Sequence, residues 1–260
     1  MPTFGPSSRD ELIAVMTAAL VDFPPARAAW LGGSDATDRT DDYSDIDLVV
    51  IADDDEVESI FERLEQTLRA RFTIDRTWRL PSPTWHGHEQ VIHQFAATPH
   101  WLVDLVVQQR SAKDRFLETE RHGTPLVLFD HDDVVHAVAL DRDTHATRLQ
   151  TRLEAVCARF EILQCLVHKA VARGLDVEAM NAYQGCTLRP LVDLLRIRHC
   201  PDRFDFGLRY LERDLPAERY DAIRRLSFPP DPAAISGMQA EAETLFRETL
   251  GEIHAERGGG

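Results

Sequence analysis

Apolar and polar positions along this chain follow two kinds of spacing, and the mixture changes part-way. Ser8 to Val21 has the spacing of a helix. Ser7 or Ser8 can cap it, Asp10 and Glu11 suit its positive N-terminal end, and Pro24-Pro25 stops it. Ala28 to Leu31 is a short apolar run that ends at Gly32-Gly33. Ile46 to Ala52 is β-branched and apolar almost throughout, which predicts a buried strand. Asp55 to Arg71 predicts an amphipathic helix, with Val57, Ile60, Phe61, Leu64 and Leu68 on one face. Glu89 to Ala96 and Trp101 to Gln108 predict two strands joined by a turn at Thr98-Pro99-His100, and Leu126 to Phe129 a last short strand.

After about Asp141 the patterns are helical. Thr144 to Arg173 predicts one long helix closed by Gly174. Asp176 to His199, Phe206 to Arg213, Ala217 to Leu226 and Ala233 to Ala255 predict further helices, punctuated by prolines. The expectation is an α+β chain: a small mixed sheet backed by helices over 1–140, a helical bundle over 141–256, and a disordered tail over 257–260.

Composition narrows the chemistry. The 260 residues are 43% hydrophobic, enough for a buried core. No stretch approaches the roughly 20 apolar residues that span a bilayer. The first residues, MPTFGPSSRDEL, lack the features of a secretory signal, so a cytoplasmic location is expected. Cys157, Cys165, Cys186 and Cys200 form no CxxC pair and read as reduced thiols. The formal net charge of −15 disfavours a long nucleic-acid footprint and suits a small-molecule partner.

The candidate chemistry lies in WLGGSDATDRTDDYSDIDLVVI, Trp30 to Ile51. An apolar run feeds Gly32-Gly33-Ser34; further on, Asp45-Ile46-Asp47 opens a strand. Alternation puts Asp45 and Asp47 on one face, about 7 Å apart. Two such carboxylates suit magnesium, which takes oxygen ligands from one or two acids and from substrate phosphates. Gly33 lets backbone approach a phosphate, and Ser34 offers a hydroxyl and an N–H. A helix starting near Ser34 would add its dipole. Asp104 is a lone acid in the apolar strand WLVDLVV, where an unpaired carboxylate is expensive without a cation or strong partner.

With these residues the sequence resembles the DNA polymerase β-like nucleotidyltransferase superfamily. Its pattern is an apolar residue, Gly, Gly or Ser, a spacer, then Asp-apolar-Asp/Glu-apolar, with a third acid on a later strand. Gly33-Ser34, Asp45-Ile46-Asp47-Leu48 and Asp104 match each element. The likeness is strongest to bacterial aminoglycoside and lincosamide adenylyltransferases, which have a helical C-terminal half. The resemblance implies an enzyme with a two-metal mechanism using Mg2+ or Mn2+. Asp45 and Asp47 would hold both ions. Asp104 would hold the ion that binds the acceptor hydroxyl and could accept its proton. The implied co-substrate is ATP or another nucleoside triphosphate, and the acceptor a hydroxyl, most readily of a small molecule.

Lys169, one of two lysines, sits in the apolar stretch FEILQCLVHKAVA. It reads either as a snorkelling lysine or as a triphosphate-binding cation, a role the related enzymes give to basic groups from the helical half. Lys113 and Arg110 are lesser candidates. His86, His88, His93 and His100 invite a zinc reading, but His88 and His93 miss the HExxH spacing by one residue, so the four read as decorating a loop and a hairpin. Arg189, Asp193 and Arg196 read as a salt-bridge ladder on one helix face. Tyr183 reads as core or as a base-stacking ring. The rival functions are a protein-modifying (AMPylating) antitoxin-type transferase, a non-catalytic nucleotide-binding module and an RNA-tailing enzyme.

Overall fold

Ile46–Ala52 lacks polar-apolar alternation because both of its faces are covered. In the computed structural model, which describes residues 5–82 and 84–258, it lies inside a six-stranded sheet. The strands are β1 (Ala26–Leu31), β2 (Ile46–Ala52), β3 (Ile74–Arg79), β4 (Glu89–Phe95), β5 (Thr98–Gln109) and β6 (Leu126–Asp130). Their order is β3-β4-β5-β2-β1-β6. β2 and β5 run parallel; every other neighbouring pair is antiparallel. The helices of this part are α1 (Arg9–Leu20), α2 (Gly33–Ala36), α3 (Val57–Arg71) and α4 (Thr119–His122). The chain divides at Leu140/Asp141 into two compact units, and this sheet belongs to the first.

Alternation along the strands gives the sheet two different faces. One packs Ala29, Leu31, Leu48, Val50, Val91, Val103 and Leu105 against Leu12, Met16 and Leu20 of α1 and Ile60, Leu64 and Leu68 of α3. The Ser8 side chain caps α1 by accepting from Glu11 N–H, a cap whose loss costs about 1 kcal/mol. The other face packs Trp30, Val49, Ile51 and Val106 against Leu117 and Val135. Asp47 and Asp104 lie on this second face.

Two local features differ from the sequence expectation. β3 was not anticipated, because of its side chains only Ile74 is buried. It is an edge strand, where Asp75, Arg76 and Arg79 discourage pairing with another chain. The β4–β5 turn is Ala96-Ala97, not Thr98-Pro99-His100. Thr98 already pairs with Phe95, and an irregularity before Leu102 accommodates Pro99.

The second unit is helical: α5 (Arg142–Ala172), α6 (Asp176–Ala182), α7 (Arg189–His199), α8 (Leu211–Asp214), α9 (Ala217–Leu226) and α10 (Ile235–Gly258). α5 buries Leu149, Leu153, Val156, Phe160 and Val167 at helical spacing, and Phe160 stacks on Phe246 of α10 at 3.7 Å. Asp176–His199 is not one regular helix: Tyr183–Leu188 forms a π-helical turn. Pro190 explains it. Lacking an N–H, Pro190 leaves carbonyls of the preceding turn without their helical donor. Gln164 Nε2 donates to the Cys186 carbonyl at 2.9 Å and Arg159 to that of Gly185 at 3.0 Å.

Phe206–Arg213 is not a helix either; only Leu211–Asp214 forms a turn of one. Gly207 and Tyr210 adopt left-handed backbone, and the carbonyls of Arg203, Gly207 and Arg209 all accept from Arg196. Arg196 is fully buried and pairs with Asp214 at 3.0 Å, while Asp193 pairs with Arg152 at 2.6 Å. The expected ladder on α7 is therefore two separate structural pairs. Tyr183 is a core residue, its hydroxyl donating to the Leu226 carbonyl. α10 runs on to Gly258, into the stretch expected as a tail; Gly259 and Gly260 lie outside the described residues. All four cysteines are free. No helix among the described residues is long and apolar enough to cross a membrane.

Candidate functional site

β2 and β5 are parallel neighbours, and their register sets Asp47 directly beside Asp104. Adjacent strands lie about 4.8 Å apart, so two half-exposed carboxylates share one face at that spacing. β1 ends beside them. Gly32 N–H donates to the Asp47 carbonyl at 2.9 Å, and the chain then turns into α2. Gly33 has φ +54°, and a Cβ there would stand 1.8 Å from Asp47 Oδ2. Only glycine satisfies both constraints. The first N–H groups of α2 have no intrahelical partner, and Ser34 Oγ is buried with no hydrogen bond among the described residues.

Asp45 is engaged differently. Its Oδ1 accepts from Leu102 N–H at 3.0 Å, which staples the start of β2 to β5. Arg9, which no local sequence signal marked, donates to the Asp45 carbonyl at 2.8 Å and to Asp35 at 2.7 Å. Asp35 thus holds the glycine turn to α1.

Asp104 has a partner the sequence did not suggest. Gln90 of β4 donates from Nε2 to Asp104 Oδ1 at 2.6 Å, and its Oε1 bonds His86 Nε2 at 2.9 Å. Burial pushes the Asp104 carboxyl above the usual aspartate range and outweighs the opposing effects of Gln90 and His86; Asp45 adds to the rise. A carboxyl raised in the folded state makes folding less favourable as pH climbs from about 4, the unfolded value, through the folded one. Asp104→Asn removes that penalty. In metal-free buffer the variant should melt at or above the wild-type temperature, with its advantage growing between acid and neutral pH. A lower melting temperature at neutral pH would mean that Asp104 carries a structural ion pair.

Gly33→Ala tests the turn. Positive φ costs an alanine about 1–2 kcal/mol, and the new methyl must turn Asp47 aside. The expected outcome is a modest fall in melting temperature with near-complete loss of the site's activity. Wild-type turnover would show that Asp47 need not stand where it does.

No group of three or more His, Cys, Asp or Glu side chains among the described residues is arranged to hold a metal ion alone. The donors nevertheless fit a phosphate-bound divalent cation, since two adjacent carboxylates leave the remaining positions to phosphate and water oxygens. The orphaned Ser34 hydroxyl and the glycine turn lie beside them.

Of the other candidates, Lys169 is exposed on α5. Arg110 is tied to Asp53 and Asp132. His88 packs on Phe116, whereas His93 bonds Thr77, so the two do not converge.

No protein-family profile matches the chain, and no curated protein sequence matches it. Solved structures do. It is similar to an aminoglycoside 6-adenyltransferase from Bacillus subtilis at 16% identity and TM-score 0.37, over 94% of this chain and 89% of that one. It is also similar to the Cid1 RNA terminal uridylyl transferase, at 15% identity and TM-score 0.32. That match spans 74% of this chain and under half, 48%, of the other. A third is the CdnE c-di-GMP synthase from Capnocytophaga granulosa, at 14% identity and TM-score 0.32, over 94% of this chain and 81% of that one. Identity and score are low in all three, so the functional reading rests on the site.

Proposed function

We propose that this chain is a divalent-metal-dependent nucleotidyltransferase, moving a nucleoside monophosphate, AMP from ATP, onto the hydroxyl of a small molecule. The observation that carries the reading is the register pairing of Asp47 with Asp104 beside the Gly33-Ser34 turn. Asp47, Asp104 and, with one oxygen tied to Leu102, Asp45 would hold Mg2+. Such ions would supply charge neutralisation at the phosphates and acidify the bound hydroxyl.

The chain's own groups divide the remaining work. Gly33, with no Cβ, lets the β- and γ-phosphates approach the backbone. Ser34 Oγ donates to a phosphate oxygen and gains the partner it lacks. Asp104, on the acceptor side of the pair, takes the proton of the acceptor hydroxyl. The acceptor oxygen then forms its bond to the α-phosphorus as the bond to the β-phosphate oxygen breaks and pyrophosphate leaves. Gln90 fixes the Asp104 carboxylate in one orientation.

The test is to titrate the purified chain with ATP, with and without Mg2+, and to follow pyrophosphate release in the presence of hydroxyl-bearing small molecules. Metal-dependent ATP binding and acceptor-dependent pyrophosphate are expected. Binding that is absent or indifferent to metal would refute the reading.

A further inference from the structure

The carboxylates belong to a longer row. Trp78 of β3 pairs with Ile92 of β4, Ile92 with Asp104 of β5, and Asp104 with Asp47 of β2. Register partners share a face, so four side chains line up across the sheet. Gly33-Ser34 lies beyond Asp47 at one end; Trp78, 60% exposed, ends the row at the other. The β3–β4 loop adds a second indole from the same side. Trp85 is 85% exposed, and its ring sits 5.0 Å from His86, which bonds Gln90, which bonds Asp104.

We propose that this hairpin is the acceptor-recognition surface: Trp78, Ile92 and Trp85 form an apolar ledge for a ring of the acceptor, whose hydroxyl reaches Asp104. The inference rests on the nucleotidyl-transfer reading and adds to it the acceptor's chemical class. Phosphate-facing groups lie on the β1 side of Asp47, so the side left for an acceptor is that of β4 and β3. An edge strand needs charge to deter pairing, and Asp75, Arg76 and Arg79 supply it; an exposed indole serves no such purpose. Indole faces bind flat or apolar rings at little entropic cost. Two strand spacings separate Trp78 from Asp104, about 10 Å. The acceptor is therefore a small molecule with an apolar-faced or aromatic ring about that far from its reactive hydroxyl.

The probes are p-nitrophenyl β-D-glucopyranoside, a ring plus hydroxyls, and methyl β-D-glucopyranoside, which lacks the aryl ring. Affinities are read by saturation-transfer NMR and intrinsic tryptophan fluorescence without nucleotide, and MgATP affinity is titrated separately. The aryl glycoside should bind wild type about tenfold more tightly than the methyl glycoside. Trp78→Ala and Trp85→Ala should each remove most of that difference, Trp78→Phe should restore part of it, and MgATP affinity should not change. Both indoles are outside the core, so the variants fold. Equal binding of the two glycosides, or aryl affinity unaffected in Trp78→Ala, overturns the ledge. So does a wild-type dimer that becomes monomeric in these variants, because the ledge would then be an interface between copies. Failure of MgATP to bind wild type defeats the nucleotidyl-transfer reading instead, and the glycoside arm is read independently of it.

Discussion

Asp47→Asn should reduce nucleotidyl transfer at least about a thousandfold, some 4 kcal/mol of transition-state stabilisation, while leaving the melting temperature close to wild type. Asparagine has nearly the same shape, so it fits the space that Gly33 leaves open and keeps the backbone bond from Gly32. What it lacks is the negative charge. Pyrophosphate release and Mg2+-dependent ATP binding should fall together. Turnover within tenfold of wild type would remove Asp47 from the metal site.

Asp214→Ala should be the most damaging single change to the second unit, costing about 3–5 kcal/mol in urea denaturation. The Asp214 carboxylate is shut off from solvent and accepts from Arg196 at 3.0 Å and Arg203 at 2.6 Å. Alanine leaves the Arg196 guanidinium buried with three carbonyls and no counter-charge. Burial alone would raise the Asp214 pKa, but Arg203, Arg196 and Arg213 together hold it below the ordinary value. A depressed carboxyl contributes stability that is present above the unfolded pKa, about 4, and is lost as pH falls through the folded one. The gap between wild type and variant should therefore narrow in acid. A difference below about 1 kcal/mol at neutral pH would mean that hydrogen bonds to the carbonyls suffice for Arg196.

The sequence carried the elements that advertise themselves locally. Ile46–Ala52 was readable because only Asp47 in it is polar, and Asp45 and Asp47 because a glycine turn and a strand frame them. Asp104 was conspicuous as one charge in an apolar run. Gln90 and His86 were not legible, because what makes them matter is a cross-strand neighbour, and pairing partners are not encoded by spacing. Arg9 was hidden for the same reason. Lys169 was left open between two readings: FEILQCLVHKAVA is apolar almost all round, so its composition does not reveal that the buried stripe runs through Phe160, Gln164 and Val167 and leaves Lys169 outside. Phe206–Arg213 looked helical because its residue types allow a helix. The demand of one buried guanidinium for carbonyls decided otherwise.

The parallel pairing of β2 with β5 also bears on how the molecule comes into being. Asp47 and Asp104 are separated in the chain by all of α3, β3 and β4, so nothing local brings them together. The loop between them must close before their strands can pair, and such non-local contacts form late and slowly. During synthesis, a chain that has emerged only as far as β4 has the glycine turn and Asp47 but no third acid. Capacity for the proposed chemistry should thus arrive with the pairing of β5 on β2, in a single step, with no partially competent precursor.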